Sequence, residues 1–247
     1  MPSVRALSAV YANFMLSPRR GRDVCDICFN LTDGHSRCYA CARSQQWLDG
    51  FAPISYSVDG EQLHHALAGY KRIGGQAGRR LGRELAAVLW RHLERHERCL
   101  AQAAGTVRFA IVTAVPSADP QRDRDHPLHK LLADVIGPTR ERYEPLLCRT
   151  AWPTVPRTFD RHRYETVRSL AGEHVLLIDD TWTSGASAQS AAAALKLGGA
   201  GIVAAVTIGR HVHRQWRGND RRLRSLQTPF DWAACPLCAI GQAEQVA

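Results

Sequence analysis

Residues 175–187, Val-Leu-Leu-Ile-Asp-Asp-Thr-Trp-Thr-Ser-Gly-Ala-Ser, set an aliphatic run, two adjacent carboxylates and a string of small hydroxylated residues in direct succession. The aliphatic residues 175–178 follow Gly172 and Glu173 and read as a buried strand. The alanine-rich segment Ala186–Leu197, closed by Gly198 and Gly199, reads as a helix. The polar loop therefore sits at the carboxyl end of a strand, the edge of an open parallel sheet where ligands bind. Thr183, Ser184, Gly185 and Ser187 present hydroxyls and backbone N–H groups at a helix start, where the aligned peptide dipoles favour a phosphate. Asp179 and Asp180 repel such an anion; carboxylates accept from hydroxyl donors or bind a divalent cation. Ribose 5-phosphate, with vicinal hydroxyls beside a phosphate, satisfies both halves of the run.

Around this run the pattern alternates between strands and helices. Residues 51–58 read as a strand, 63–70 as a helix, and 76–100 as a long amphipathic helix with Leu81, Leu85, Val88 and Leu89 on its apolar face. Residues 107–115 are nearly all apolar and predict a central strand, 128–136 a helix, and 201–208 another buried strand. Alternation with continuously apolar strands predicts an α/β fold, a parallel sheet covered by helices on both faces. A chain of 247 residues, 45% hydrophobic, can bury one sizeable core plus a small module. The division expected is 1–50 for that module and 51–247 for the sheet domain. No stretch approaches the ~18 uninterrupted apolar residues of a membrane span. Residues 6–16 are interrupted by Asn13, lack a cleavage site, and carry Leu7, Val10, Tyr11 and Phe14 at helical spacing, so they predict an amphipathic helix and not a secretion signal.

Cys25, Cys28, Cys38 and Cys41 form two C-x-x-C hooks nine residues apart, with Gly34 able to turn the chain between them. Four thiolates in this arrangement suit a tetrahedral structural zinc. Disulfides compete with that reading, but a chain without a secretion signal and with a nucleotide-type pocket is expected in a reducing cytoplasm. His35 lies inside the knuckle and reads as a solvated loop residue. A third hook, Cys235-Pro-Leu-Cys238, is half a site: it can join histidines such as His211 or His213 in a second metal site, replace an amino-terminal hook, or remain a pair of thiols. Cys99 and Cys148 have no partner at ligand spacing and read as small hydrophobes.

The formal charge of +9 is carried almost entirely by arginine, since lysine occurs only at 71, 130 and 196. The planar guanidinium suits phosphate, and clusters at Arg79, Arg80 and Arg83, at Arg91, Arg95 and Arg98, and from Arg210 to Arg224 would equally suit a nucleic-acid backbone. Solvated charge is the competing reading of each cluster.

The run from 175 to 187 resembles the phosphoribosyl-pyrophosphate (PRPP) motif of type I phosphoribosyltransferases: hydrophobic residues, an acidic pair, two variable positions and a Thr-Thr-Gly-Ala-Thr variant, with Ser184 and Ser187 for two threonines. More widely, the order of amino-terminal cysteines, Leu-Ala-Gly-Tyr-Lys-Arg at 67–72, Val115-Pro116 and the PRPP motif is similar to the competence-protein-F (ComF) family of amidophosphoribosyltransferase-like proteins. That resemblance implies a type I phosphoribosyltransferase fold with an amino-terminal zinc-finger-like module. It implies catalytic Asp179 and Asp180 on the ribose hydroxyls, a 5′-phosphate loop of Thr181, Thr183, Ser184, Gly185, Ala186 and Ser187, and magnesium with PRPP. It places the pyrophosphate loop at Ser117 and 118–119, with Arg122 and Arg124 behind, and a mobile flap at 149–168, a stretch that reads equally as a long surface loop with an arginine excess. The chain departs from the family at 122–128, Arg-Asp-Arg-Asp-His-Pro-Leu where Arg-Gly-Phe-Asn-Gln is usual. The activity implied is transfer of phosphoribose to a nitrogen acceptor; Met1-Pro2 offers no cysteine nucleophile for glutamine hydrolysis. The alternative is a non-catalytic protein of the same fold acting in DNA uptake or regulation. Trp182, at a variable position, stacks on a substrate base or packs under the pocket.

Overall fold

The computed structural model describes residues 2–117, 123, 126–226 and 229–238. Its centre is a four-stranded parallel sheet in the order β1 (Gly50–Val58), β6 (Val203–Val212), β5 (Val175–Trp182), β2 (Ile111–Ala114). Consecutive side chains of a strand point to opposite faces. Burial of every residue from 51 to 58 and from 203 to 210 therefore means that both faces are covered. Helix α3 (Gln62–Arg72) and the 29-residue α4 (Gly75–Ala103) pack on β1 and β6. Leu85, Val88 and Leu89 of α4 are buried and Leu81 half-buried, as their spacing predicts. Helix α7 (Ala186–Leu197) packs on β5 and β6, its alanines 191–194 buried against the strands.

The strand expected at the centre lies at the edge and is shorter than 107–115. Val107 is exposed, and pairing begins at Ile111. The long apolar run has another cause: Val112 donates to Arg142 O and its carbonyl accepts from Glu144, so an irregular segment covers the edge that water would otherwise wet. Between β2 and that segment come α5 (Pro127–Lys130), one π-turn (Leu131–Val135) and α6 (Gly137–Arg140). Residues 6–16 also differ from expectation: α1 (Val4–Ala9) gives way to a 3₁₀ turn (Val10–Asn13), leaving Val10 exposed while Tyr11 and Met15 are buried.

Residues 25–41 carry the cysteine knuckle and lead into the short α2 (Tyr39–Arg43). Cys25, Cys28, Cys38 and Cys41 belong to the same hydrophobic cluster as the sheet strands. Residues 149–168, the expected flap, are the arm of a hairpin formed by β3 (Leu147–Arg149) and β4 (Tyr164–Thr166), which lies against α7. After β6 the short α8 (Asn219–Arg224) precedes a terminal stretch laid on α4, where Arg91 stacks over Trp232 at 4.1 Å. Among the described residues no helix is long and apolar enough to cross a membrane.

Candidate functional site

Strand β5 runs four residues past its aliphatic core, so the acidic pair ends the strand and does not begin the loop. Pleating sends the two carboxylates different ways. Asp180 is buried, with its Oδ2 accepting from Tyr70 Oη and ion-paired to Lys71 Nζ, both at the end of α3. Burial and the Asp180 charge push the Tyr70 hydroxyl well above its ordinary range, so it remains a donor. Asp179 is half-buried and takes the Asp180 N–H on Oδ1 at 2.8 Å. Its carboxyl is pushed up to about 7, first by burial and second by the charge on Asp180.

The loop that follows forms a small cradle of about 80 Å³, lined by Thr181, Trp182, Thr183, Ser184, Gly185, Ala186, Ser187 and, from the hairpin arm, Arg157. Gly185 has φ +83° and caps α7; a Cβ there would collide with the Trp182 indole. The position admits only glycine on both counts. Trp182 packs against Phe51 at 4.1 Å between centroids, so its role is support beneath the loop and not an open stacking face. Its indole N–H is buried without a hydrogen-bond partner, an orphan donor of the kind a bound anion satisfies. The first turn of α7 adds N–H groups that have no intrahelical acceptor.

Asp179, Thr181 and Ser187 also line a second cavity of about 460 Å³, whose other walls are Lys71, Arg72, Val115, Pro116, Ser117, His126, Pro127 and Asp180. Lys71 and Arg72 bring positive charge at the end of α3. His126 is held near 4 by burial and by Lys71, and is therefore neutral at pH 7. The Ser117 N–H donates to Asp123 Oδ1 at 2.6 Å, which sets a carboxylate where the pyrophosphate loop was expected. Residues 118–119, Arg122 and Arg124 lie outside the described residues. The hairpin arm meets the site from the other side: Tyr164 Oη donates to Pro116 O, Asp160 N to Ser190 Oγ, and the buried Arg163 to the carbonyls of Val155 and Thr158. The sequence marks Lys71 and Arg72 only as landmarks, places Arg157 in the expected flap without tying it to the loop, and gives His126 no role at the site; helix ends and hairpin tips reach the cleft from positions that no local spacing marks.

The four knuckle cysteines are buried, with their Sγ atoms all within 4.8 Å of one another, a set that could hold a metal such as zinc. Gly34 turns the loop at φ +75°, and His35 is exposed, as expected. Buried Arg210 donates from Nε to Cys28 O at 2.8 Å and from Nη2 to Cys28 Sγ at 3.5 Å, and from Nη1 to Trp182 O. The guanidinium faces the charge that thiolates would carry and ties the knuckle to the end of β5. The third hook does not join His211 and His213, which cluster with Asp59 instead. It meets Cys99, whose reading as a small hydrophobe is thereby corrected, and His96; this Cys/His group too could hold a metal. Cys148 stands apart, donating to Glu165.

Much of the arginine excess near the carboxyl end is engaged: Arg214 pairs with Glu61 and Asp220, Arg222 with Asp33, and Arg224 with Asp220. A cavity of about 550 Å³ between the knuckle and α8 nevertheless combines Arg37 and Arg217 with the exposed rings of Tyr39 and Trp216. No protein-family model matches the chain, and no curated protein matches it significantly.

Proposed function

We propose that the chain binds PRPP and transfers its phosphoribosyl group to a nitrogen nucleophile with release of pyrophosphate. The observation that carries this reading is the shared wall of the two cavities: Asp179, Thr181 and Ser187 face both. One ligand can then rest its 5′-phosphate on the Thr183–Ser187 loop, lay its ring along Asp179, and extend its pyrophosphate toward Lys71, Arg72 and Ser117. The orphan Trp182 donor and Arg157 favour an anion at the loop.

In that reaction the anomeric C–O bond breaks, its electrons leave with pyrophosphate, and the acceptor nitrogen forms the C–N bond and gives up a proton. Positive charge builds on the anomeric carbon. Asp179, ionised above about pH 7, accepts from the ring hydroxyls and lies on the side of the developing cation, while Lys71 and Arg72 neutralise the leaving group. Asp180 acts through Lys71 and Tyr70, holding the cation at the cleft mouth, and is a positioning residue. The Asp179 carboxylate together with ligand phosphates suits magnesium, which when bound adds charge to the leaving group. The hairpin arm, by closing on Arg157, would keep water from the sugar cation. No side-chain nucleophile is needed.

A second reading, a binder of single-stranded nucleic acid that keeps the fold without turnover, draws on two observations. Asp123 occupies the Ser117 N–H, and Tyr39 and Trp216 present stacking faces beside arginines. Pyrophosphate release from PRPP with ammonia and a panel of nucleobases separates the readings. Release with any acceptor supports transfer; salt-sensitive retention of DNA with no release supports the binder.

A further inference from the structure

We propose that His96, Cys99, Cys235 and Cys238 form a second structural zinc site, which staples the terminal segment to the long helix α4. His96 and Cys99 stand three residues apart in α4, a spacing that puts both on one helix face. Cys235 and Cys238 come from the C-x-x-C hook well over a hundred residues later. Their ligand atoms converge: Cys238 Sγ lies 3.3 Å from Cys235 Sγ, 3.7 Å from Cys99 Sγ and 3.4 Å from His96 Nδ1, and Cys99 Sγ is 4.0 Å from the same nitrogen.

These separations suit a metal better than a covalent link. A tetrahedral zinc with Zn–S bonds of about 2.3 Å has ligand edges of about 3.8 Å, whereas a disulfide draws its sulfurs to about 2.0 Å. The knuckle cysteines, at 3.6 Å between Cys28 and Cys38, show the same spacing. A disulfide would also use two thiols and leave a third beside an imidazole with nothing to bind.

The surroundings orient each ligand. His96 Nε2 lies 3.1 Å from Trp232 O, which accepts its N–H and leaves the Nδ1 lone pair facing the thiols. Within the hook, Cys235 N donates to Cys238 Sγ at 3.2 Å and Leu237 N to Cys235 Sγ at 3.4 Å, contacts that stabilise thiolate charge. Leu237, inside the hook, is buried, and Phe230 N, ahead of it, donates to Ala12 O, so the segment is seated at the hook and before it. Three soft thiolates and one imidazole select zinc, and four protein ligands leave no open position, so the site is structural and not catalytic. Binding one zinc ion displaces the three thiol protons.

The test is the zinc content of the full chain, purified without chelator, with X-ray absorption of the bound zinc. The expected result is two zinc ions per chain, their average shell showing imidazole scattering beside sulfur, and one ion in Cys235→Ser/Cys238→Ser with the far-ultraviolet spectrum kept. A single zinc in the wild type, an all-sulfur shell, two ions in the double variant, or a mass lower by two protons from a disulfide overturns the proposal. Should the double variant fail to fold, the wild-type stoichiometry and shell still decide.

Discussion

At Gly185, backbone and packing make the same demand. Its φ of +83° disfavours any side chain, and the Trp182 ring fills the space a Cβ would take. Gly185→Ala is expected to cost about 1–3 kcal/mol in urea unfolding; an unchanged midpoint would mean the loop is not seated on Trp182. Asp179 carries a pH signature. Its folded carboxyl keeps a proton up to about 7, against an ordinary value of 3.8. Between those values the native state binds more protons than the unfolded chain, so this group lowers stability as pH rises from about 4 to 7 and recovers it as pH falls. Asp179→Asn removes that loss and should raise stability at pH 8 by roughly 1–3 kcal/mol, with little change at pH 4. Melting temperatures across this range check it; parallel curves for the two proteins would contradict it.

Among the elements, β5 and α7 were the most legible, because an aliphatic run, an alanine run and glycine stops each signal one structure. The loop between them was readable for the same reason. The edge strand β2 was not, since Val112 owes its burial to the covering segment at 142–144, a tertiary fact that mimics a central strand. The separate duties of Asp179 and Asp180 were also hidden: they depend on β5 continuing through Trp182, so that pleating turns one residue to the cleft and its neighbour to α3. His96 and Cys99 were readable as a helical i, i+3 pair, but only beside the distant hook does the spacing acquire meaning. At this scale Lys71 links α3 to β5. Lys71→Met leaves the buried Asp180 with Tyr70 alone and is expected to cost about 1–3 kcal/mol, reduced because the lysine is about one-third exposed. Urea unfolding at pH 7 measures it, and wild-type stability would show that solvent already screens the pair.

Across the whole molecule, parts distant in sequence hold one another. Arg210 joins the cysteine knuckle to the end of the acidic strand, the hairpin arm leans on α7 and Pro116, and the terminal segment lies on α4 and the 3₁₀ turn after α1. Strand–helix alternation and cysteine spacing pointed to an α/β fold and a metal knuckle, and the four-stranded parallel sheet and the clustered thiols, which could hold a metal, agree at that level. The cleft at the end of β5 is proposed as a PRPP site, and calorimetric titration of the full chain with PRPP and magnesium tests that proposal most directly. The account predicts saturable one-site binding in the wild type and a loss of at least tenfold in affinity, about 1.4 kcal/mol, in folded Asp179→Asn. No heat of binding in the wild type, or equal affinity in the two proteins, would contradict it.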